Sequence, residues 1–294
     1  MSTQSSTYDP NTFWNAPARN FRSSARLHLQ HLLFQNTIPF LLDPRIEDAV
    51  SNTKNLKIAD LACGNGIWLT SLHDELTKRN ISSAQLDGYD INAINFPSKN
   101  FLPPSVSLHK LDVLAQPLPE NLIGAYDIVH IRAFSSLVLH NDPSPIISAA
   151  KAMLKPGGWI QWDESGADFI VQSPSPDVGK TACLTIDGIL KAGGEASGAK
   201  REFITELDRH ANGFQEVQLQ SYAVRKQDYK AWTEDYLMVW EDLAMYFPLA
   251  ADKPDAPLTR EAWNGLFVNA IKETEQGVAL FYRDIVVMTG QKPT

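Results

Sequence analysis

The sequence is poor in cysteine and has no excess of basic charge. Its 294 residues contain two cysteines, Cys63 and Cys183, which excludes a disulfide framework, and no group of residues shows metal-ligand spacing. Lysine and arginine number 26 against 34 aspartates and glutamates, so the formal net charge is -8. Sequence-independent nucleic-acid binding requires a strongly basic surface. We therefore expect no bound metal and no nucleic-acid partner.

Long apolar runs are also missing. No stretch of 18 apolar residues is present, which argues against a membrane-spanning helix. Residues 1–10 are polar and lack the apolar segment of a secretory signal. Hydrophobic residues make up 44% and charged residues 20%, a balance typical of a globular protein with a filled core. These features predict a soluble, cytoplasmic protein of one large domain, without membrane contact.

A pattern of alternating strands and helices begins near residue 56. Short apolar runs alternate with segments of helical periodicity, which predicts an α/β fold with a doubly wound, mostly parallel sheet. We predict strands over residues 57–61, 85–89, 106–110, 126–131, 159–162, 214–224 and 279–289. We predict helices over residues 66–79, 145–154, 181–192, 202–211, 228–247 and 259–275, a turn over 155–158 and a loop over 167–178.

Helical segments are also predicted before the first strand. Residues 21–34 carry leucines at helical spacing, which indicates an amphipathic helix, followed by a second short helix ending near residue 42. Asp43 suits the N-cap of a third helix that runs to about residue 52, with Pro44 at its first position.

A glycine turn joins the first predicted strand to the first helix after it. Gly64 and Gly66 allow a sharp turn and a close approach of the backbone to a ligand, and such turns bind nucleotides in open α/β sheets. The dinucleotide fingerprint is incomplete, because Leu69 stands where its third glycine would be. The Asp60 carboxylate before the turn would repel a pyrophosphate and attract a sulfonium or ammonium. This favours S-adenosylmethionine over a dinucleotide.

Acidic residues follow three consecutive predicted strands. Asp60, Asp90 and Asp112 end strands whose carboxyl ends share one edge of a parallel sheet, so they should border one crevice. Asp90 can accept hydrogen bonds from both ribose hydroxyls, and Asp112 can accept one from an adenine amine. A single aspartate of this kind is more often a solvated loop residue. Three of them beside a glycine turn favour a nucleoside site.

The ordered motifs over residues 56–164 resemble class I S-adenosylmethionine-dependent methyltransferases. The first motif is residues 60–66, and later motifs match at Asp90, residues 111–113, 126–132 and 154–158. A narrower similarity points to fungal methyltransferases of secondary-metabolite pathways, and it is carried by residues 26–31, 130–132, 158–164 and 290–293. Cys63 departs from the commoner small residue or glycine in the first motif, a change that the fold should tolerate.

The resemblance implies S-adenosyl-L-methionine as cofactor, with contacts at each motif. The implied cofactor residues are Asp60, Gly64, Asn65, Gly66, Asp90, Ile91, Asp112, Val113, His130 and Ile131, the last two beside the reacting centre. Residues 13–31 would fold over the cofactor. The implied domain organisation is a tail and helical lid over residues 1–52, then a methyltransferase domain over 53–294. That domain has its core in 56–164 and acceptor-side helices and last strands in 165–294.

Methyl transfer needs little covalent help, because positioning and exclusion of water supply much of the rate. A base is required only when the acceptor must lose a proton early. His31, His130 and His140 are candidates, and His130 is the best placed, although a given histidine is more often a surface or core hydrogen-bonding residue. Arg132 either orients an acidic acceptor or pairs with a neighbouring carboxylate.

Aromatic residues outside the core motifs suit a planar or hydrophobic small-molecule acceptor, although aromatic stripes at helical spacing are also typical of cores. The acceptor-binding candidates are Trp14, His31, Arg132, Trp162, Trp232 and Tyr236. We predict methyl transfer to an oxygen or nitrogen of a natural product, and the sequence leaves the oligomeric state open. Two alternatives remain: a cofactor-binding relative that does not methylate, acting as a regulator or catalysing a rearrangement, and an NAD-dependent oxidoreductase.

Overall fold

The computed structural model describes residues 21–81, 83–198 and 201–294. Its strands are β1 Lys57–Leu61, β2 Gln85–Asp90, β3 Val106–Lys110, β4 Tyr126–Arg132, β5 Leu154–Ser165, β6 Phe169–Gln172, β7 Gln215–Ala223, β8 Ala279–Tyr282 and β9 Asp284–Gln291. Seven of them form one sheet in the order β3-β2-β1-β4-β5-β9-β7. The first five strands pair in parallel, whereas β9 runs antiparallel to both β5 and β7. The predicted doubly wound, mostly parallel sheet is confirmed.

Helices lie on both faces of this sheet and beyond its far end. They are α1 Phe21–Thr37, α2 Pro44–Val50, α3 Ile67–Lys78, α4 Ser144–Met153, α5 Thr181–Ser197, α6 Leu207–His210, α7 Tyr229–Leu243 and α8 Arg260–Glu275. The start of α2 follows the predicted chemistry, because the Asp43 side chain accepts a hydrogen bond from the Arg45 amide and Pro44 occupies the first turn. None of the helices in the described residues has the length and apolar content needed to cross a membrane.

The two faces of the sheet are covered by separate apolar clusters. Successive residues of a strand point to opposite faces, and in β1 Ile58 packs in one cluster with Trp68 of α3, whereas Ala59 packs in the other with Ile147 of α4. This burial on both faces explains why β1 reads as a continuous apolar run apart from Asp60.

The close approach of α3 to the sheet does not depend on a third glycine in the turn. A Cβ atom at Gly88 of β2 would lie 2.8 Å from Leu69 Cδ1 and 2.8 Å from Cys63 Sγ. Gly88 therefore makes room in the strand for the leucine that replaces the fingerprint glycine. The turn itself still needs glycine, since Gly64 and Gly66 have φ angles of +59° and +76°.

Several local predictions are wrong in detail. Residues 155–158 belong to β5 instead of forming a separate turn. The predicted loop 167–178 contains β6, and the predicted last strand is divided into β8 and β9. The second short helix ending near residue 42 does not form, and bends occupy its place. The missed strands depend on distant partners, because Ile170 of β6 pairs with Phe281 of β8.

Helix α1 docks at the carboxyl edge of the sheet, against α7. Phe34 of α1 packs on Trp232 of α7 with ring centroids 6.0 Å apart. An exposed ion pair between Arg22 and Glu241, 2.9 Å apart, joins the same two helices. This docking places the amino-terminal half of α1 over the ends of the central strands.

Candidate active site

A cleft opens between α1 and the carboxyl ends of β1, β2 and β4. It is lined by residues of α1, of the glycine turn and of the segments that follow β2, β3 and β4. Nine predicted site residues line it: His31, Asp60, Gly64, Asn65, Asp90, Ile91, Asp112, Val113 and Arg132. The cleft brings the acidic residues of three strand ends together, as the parallel topology requires.

The glycine turn is held in place by Asp90. The Gly64 amide donates to Asp90 Oδ2 at 2.9 Å, and the Asn92 amide donates to Oδ1 at 2.8 Å. These two bonds fix the Asp90 carboxylate beside the glycine turn, at the edge of the cleft. A Cβ at Gly64 would lie 2.9 Å from Leu27 Cδ1, which shows how closely α1 covers the turn.

Asp112 offers one carboxylate oxygen to the cleft. Its Oδ1 accepts a hydrogen bond from the Leu114 amide at 2.9 Å, which fixes the side chain in a local turn. Its Oδ2 accepts no hydrogen bond from the described residues. Asp112 and the neighbouring Val113 both line the cleft, so a charged acceptor and an apolar surface lie side by side, as an adenine ring requires.

His130 does not line the cleft, which corrects its predicted place at the reacting centre. The ring is fully buried, with Nδ1 2.7 Å from Asp60 Oδ1 and Nε2 3.1 Å from Asp163 Oδ2. It also stacks on Trp68 with ring centroids 3.6 Å apart. Burial lowers the pKa of His130, but the Asp60 and Asp163 carboxylates outweigh it and hold the pKa above its usual range. Each ring nitrogen faces a carboxylate oxygen, which accepts hydrogen bonds, so both nitrogens act as donors and the ring is held as an imidazolium. This geometry argues against its predicted role as a base.

Arg132 and His31 continue this network toward the cleft. Arg132 Nη2 donates to Asp163 Oδ2 at 2.6 Å, so the arginine pairs with a neighbouring carboxylate. Its Nη1 donates to His31 Nδ1 at 3.1 Å, which requires the His31 proton on Nε2, where it reaches Ser71 Oγ at 2.9 Å. Burial and the Arg132 charge lower the pKa of His31 to about 3. His31 is therefore neutral and committed at both nitrogens.

The network changes how Asp60 is to be understood. The buried chain Asp60–His130–Asp163–Arg132 joins β1, β4 and β5 and contains two anions and two cations. The charge of Asp60 is therefore balanced inside the protein. Its predicted attraction for a sulfonium is weaker than the sequence alone suggested, and ligand recognition depends more on hydrogen bonds and shape.

Several predicted site residues lie outside the cleft. Gly66 caps the start of α3, and the Ile131 side chain is buried in the core beneath the sheet edge. Trp162 is fully buried and donates its indole N–H to Glu164 at 3.3 Å. Trp232 and Tyr236 pack into the apolar clusters around α7, so they too are core residues. Trp14 lies outside the described residues.

The structure adds cleft residues that the sequence did not single out. They are Arg26, Leu27 and Gln30 on α1, with Ala62, Ala133, Phe134 and Leu137 at the strand ends. Arg26 and Gln30 are one helical turn apart and fall inside the stretch 26–31 that carried the fungal similarity. Ala62 and Ala133 have φ angles of 55° and 53°, a strained conformation for alanine that is common at functional sites and has no sequence signature.

None of the family models searched matches the chain. Comparisons with individual proteins do find relatives. Methyltransferase grgD from a Penicillium species is 34% identical over 158 residues, which cover 52% of this chain and 53% of that protein. N-methyltransferase verN from Clonostachys rogersoniana is 31% identical over 163 residues, which cover 54% of this chain and 53% of that protein. The chain thus spans about half the length of these curated relatives.

The fold comparison extends over nearly the whole chain. The structure of Haemonchus contortus phosphoethanolamine N-methyltransferase 2 in complex with S-adenosyl-L-methionine matches with a TM-score of 0.50 at 12% identity. The match covers 98% of this chain and 61% of that one. At this identity the likeness shows the fold, which is that of class I methyltransferases. The sequence relatives confirm the narrower resemblance: the chain is similar to methyltransferases of fungi.

Proposed function

We propose that the cleft binds S-adenosyl-L-methionine and that the chain is a methyltransferase. The observation that carries this is the convergence of Asp90, Asp112 and the Gly64 turn in one cleft at the carboxyl ends of parallel strands. When bound, this cofactor supplies an electrophilic methyl group on a sulfonium. The methyltransferase names of relatives that match half of the chain support the same activity.

The residues present fit the parts of that cofactor. Asp90 would accept the ribose hydroxyls, and Asp112 would accept the adenine amine. The Gly64 turn, which has no side chain facing α1, would let the amino-acid end lie close to the backbone. Phe134 and Leu137 add an apolar wall that would exclude water from the reacting atoms.

The acceptor is a small molecule, and a neutral amine suits this cleft best. His130 has no lone pair to accept a proton, His31 is committed to Arg132 and Ser71, and His140 is exposed outside the cleft. Among the described residues, therefore, none of the three candidate histidines is free to deprotonate an acceptor. A neutral amine needs no base before attack, whereas a phenol does. The N-methyltransferase name of verN agrees with this preference.

The place of this reaction in secondary-metabolite biosynthesis rests on the fungal relatives. Their similarity covers half of each protein, so the acceptor itself is to be found by experiment. The panel to use contains aliphatic and aromatic amines, indoles and phenols of natural-product size.

The test is transfer of a labelled methyl group from the cofactor to this panel, measured by mass spectrometry. We expect labelled amine products with the wild type and a large loss with Asp90→Ala. Binding of the cofactor with no label on any acceptor class would contradict the methyltransferase proposal and favour the non-methylating alternative.

A further inference from the structure

Arg26 is a buried cation whose hydrogen-bonding groups are unused. Its side chain lines the cleft and is only 6% exposed. The guanidinium donates no hydrogen bond to any residue in the described part of the chain. Guanidinium groups carry five N–H donors in a planar fork that matches a carboxylate, and their burial without partners is costly. A nearly buried arginine without hydrogen-bond partners indicates a ligand that accepts its hydrogen bonds.

The nearest anion to Arg26 lies too far away to satisfy it. Asp235 Oδ1 of α7 is 3.9 Å from Arg26 Nη1, beyond hydrogen-bond distance. The Asp235 side chain is fully buried, and neither of its oxygens has a hydrogen-bond partner. Asp235 therefore holds the guanidinium by charge alone and leaves the N–H fork available to the cleft.

Gln30 lies beside Arg26 on the same face of α1. The two residues are one turn apart, and residues four apart on a helix are neighbours. Gln30 also lines the cleft, and its amide makes no hydrogen bond among the residues that the structure describes. The other cation of the cleft is committed, because Arg132 donates to Asp163 and His31. The available donors of α1 are therefore Arg26 and Gln30.

We propose that Arg26 and Gln30 form a carboxylate-binding subsite of the cleft, with Asp235 as the residue that positions Arg26. The subsite takes the carboxylate at the amino-acid end of an S-adenosylmethionine-type ligand, so the proposal rests on the proposed function. Leu27, between the two donors in sequence, already contacts the Gly64 turn where that end would lie. A ligand bound at the sheet edge would then contact Arg26 of α1, which is itself held by Asp235 of α7.

The test compares two ligands that differ in the carboxylate. S-adenosylhomocysteine has the amino-acid end, whereas 5′-methylthioadenosine lacks it and keeps the adenosine. Arg26→Gln should weaken binding of S-adenosylhomocysteine by about 10- to 100-fold, the loss expected for hydrogen bonds to a charged group. It should change the affinity for 5′-methylthioadenosine by less than about twofold. Calorimetric titration of each protein with each ligand gives these values directly.

Two further variants separate recognition from folding. Arg26→Gln leaves the Asp235 carboxylate buried without a cation, so the double variant Arg26→Gln/Asp235→Asn removes both charges and should show the same selective loss. Arg22→Gln is the matched control, because it breaks an exposed α1–α7 ion pair away from the cleft and should change neither affinity.

The outcomes distinguish the two proposals. Equal weakening of both ligands in the double variant, or no weakening of either, would overturn the carboxylate subsite while leaving the nucleoside site in place. Failure of the wild type to bind either ligand would contradict the proposed function and the subsite with it.

Discussion

Replacing His130 by asparagine tests the central charge network most severely. The wild-type imidazolium lies between Asp60 and Asp163, at 2.7 Å and 3.1 Å. After the change, Asp163 keeps Arg132 at 2.6 Å and the Gln161 amide at 2.9 Å, whereas Asp60 loses its charged partner. The damage should therefore concentrate on Asp60, which is 3% exposed.

The size of the effect follows from removing one partner of a buried ion pair, which costs about 3–5 kcal/mol. We therefore expect His130→Asn to lower the free energy of unfolding by about 4 kcal/mol at pH 7.

The wild type should become more stable as the pH falls from 7 to 5. Because the folded pKa of His130 is raised, its stabilising contribution is complete below the unfolded pKa of about 6.5 and is lost as the pH rises through the folded value. From pH 7 to pH 5 this adds less than about 1 kcal/mol to the wild type. The cost of the variant should therefore be larger at pH 5 than at pH 7, by less than about 1 kcal/mol.

Urea unfolding at the two pH values measures this difference. The matched control is His73→Asn, since His73 makes one partly buried hydrogen bond, to Ser105 at 2.7 Å, and no buried ion pair. That variant should lose about 1 kcal/mol at both pH values. If His130→Asn costs no more than His73→Asn, or costs less at pH 5 than at pH 7, the description of His130 as a buried imidazolium is refuted.

Three further predictions concern other parts of the cleft and its surroundings. Asp90→Ala should weaken binding of S-adenosylhomocysteine by about 10- to 100-fold in a calorimetric titration, whereas Asp74→Ala, exposed on α3, should leave it unchanged; equal affinities would remove Asp90 from the site. Burial raises the pKa of Asp235 to about 6 although Arg26 opposes it, so the wild type should lose about 2 kcal/mol of stability as the pH rises from 4 to 7. Asp235→Asn should lack this loss in urea unfolding, and parallel pH curves for the two proteins would argue against it. For amine acceptors, kcat/KM should rise with pH along the ionisation of each amine; a common transition near pH 6.5 for all acceptors would instead show a histidine base.

The strands of the amino-terminal half could be predicted because their signals are local. β1 and β3 have the predicted bounds, and β2 and β4 each extend one residue further. Each is a short segment that ends at or near a turn, and β1, β2 and β4 are mostly buried, so neighbouring residues determine them. The strand pair β6–β8 could not be predicted in this way, because it joins residues more than 100 positions apart.

The difference between local signals and distant partners also explains which parts of the site could be predicted from the sequence. The acidic residues at strand ends could be placed in one cleft from topology alone, since parallel strands share their carboxyl edge. The role of His130 could not, because its partners Asp60 and Asp163 lie 70 and 33 residues away in the sequence. The same histidine at the end of β4 would face the cleft or the core depending on those partners. The role of Arg26 could not be predicted either, since its lack of hydrogen-bond partners follows from the packing of α1 on α7.

The central claim is that the cleft at the ends of β1, β2 and β4 binds a nucleoside cofactor of the S-adenosylmethionine type. Calorimetric titration of the wild-type chain with S-adenosylhomocysteine, and separately with NAD, tests it most directly. The account predicts saturable one-to-one binding of S-adenosylhomocysteine and no binding of NAD. Saturable binding of NAD without binding of S-adenosylhomocysteine would contradict it.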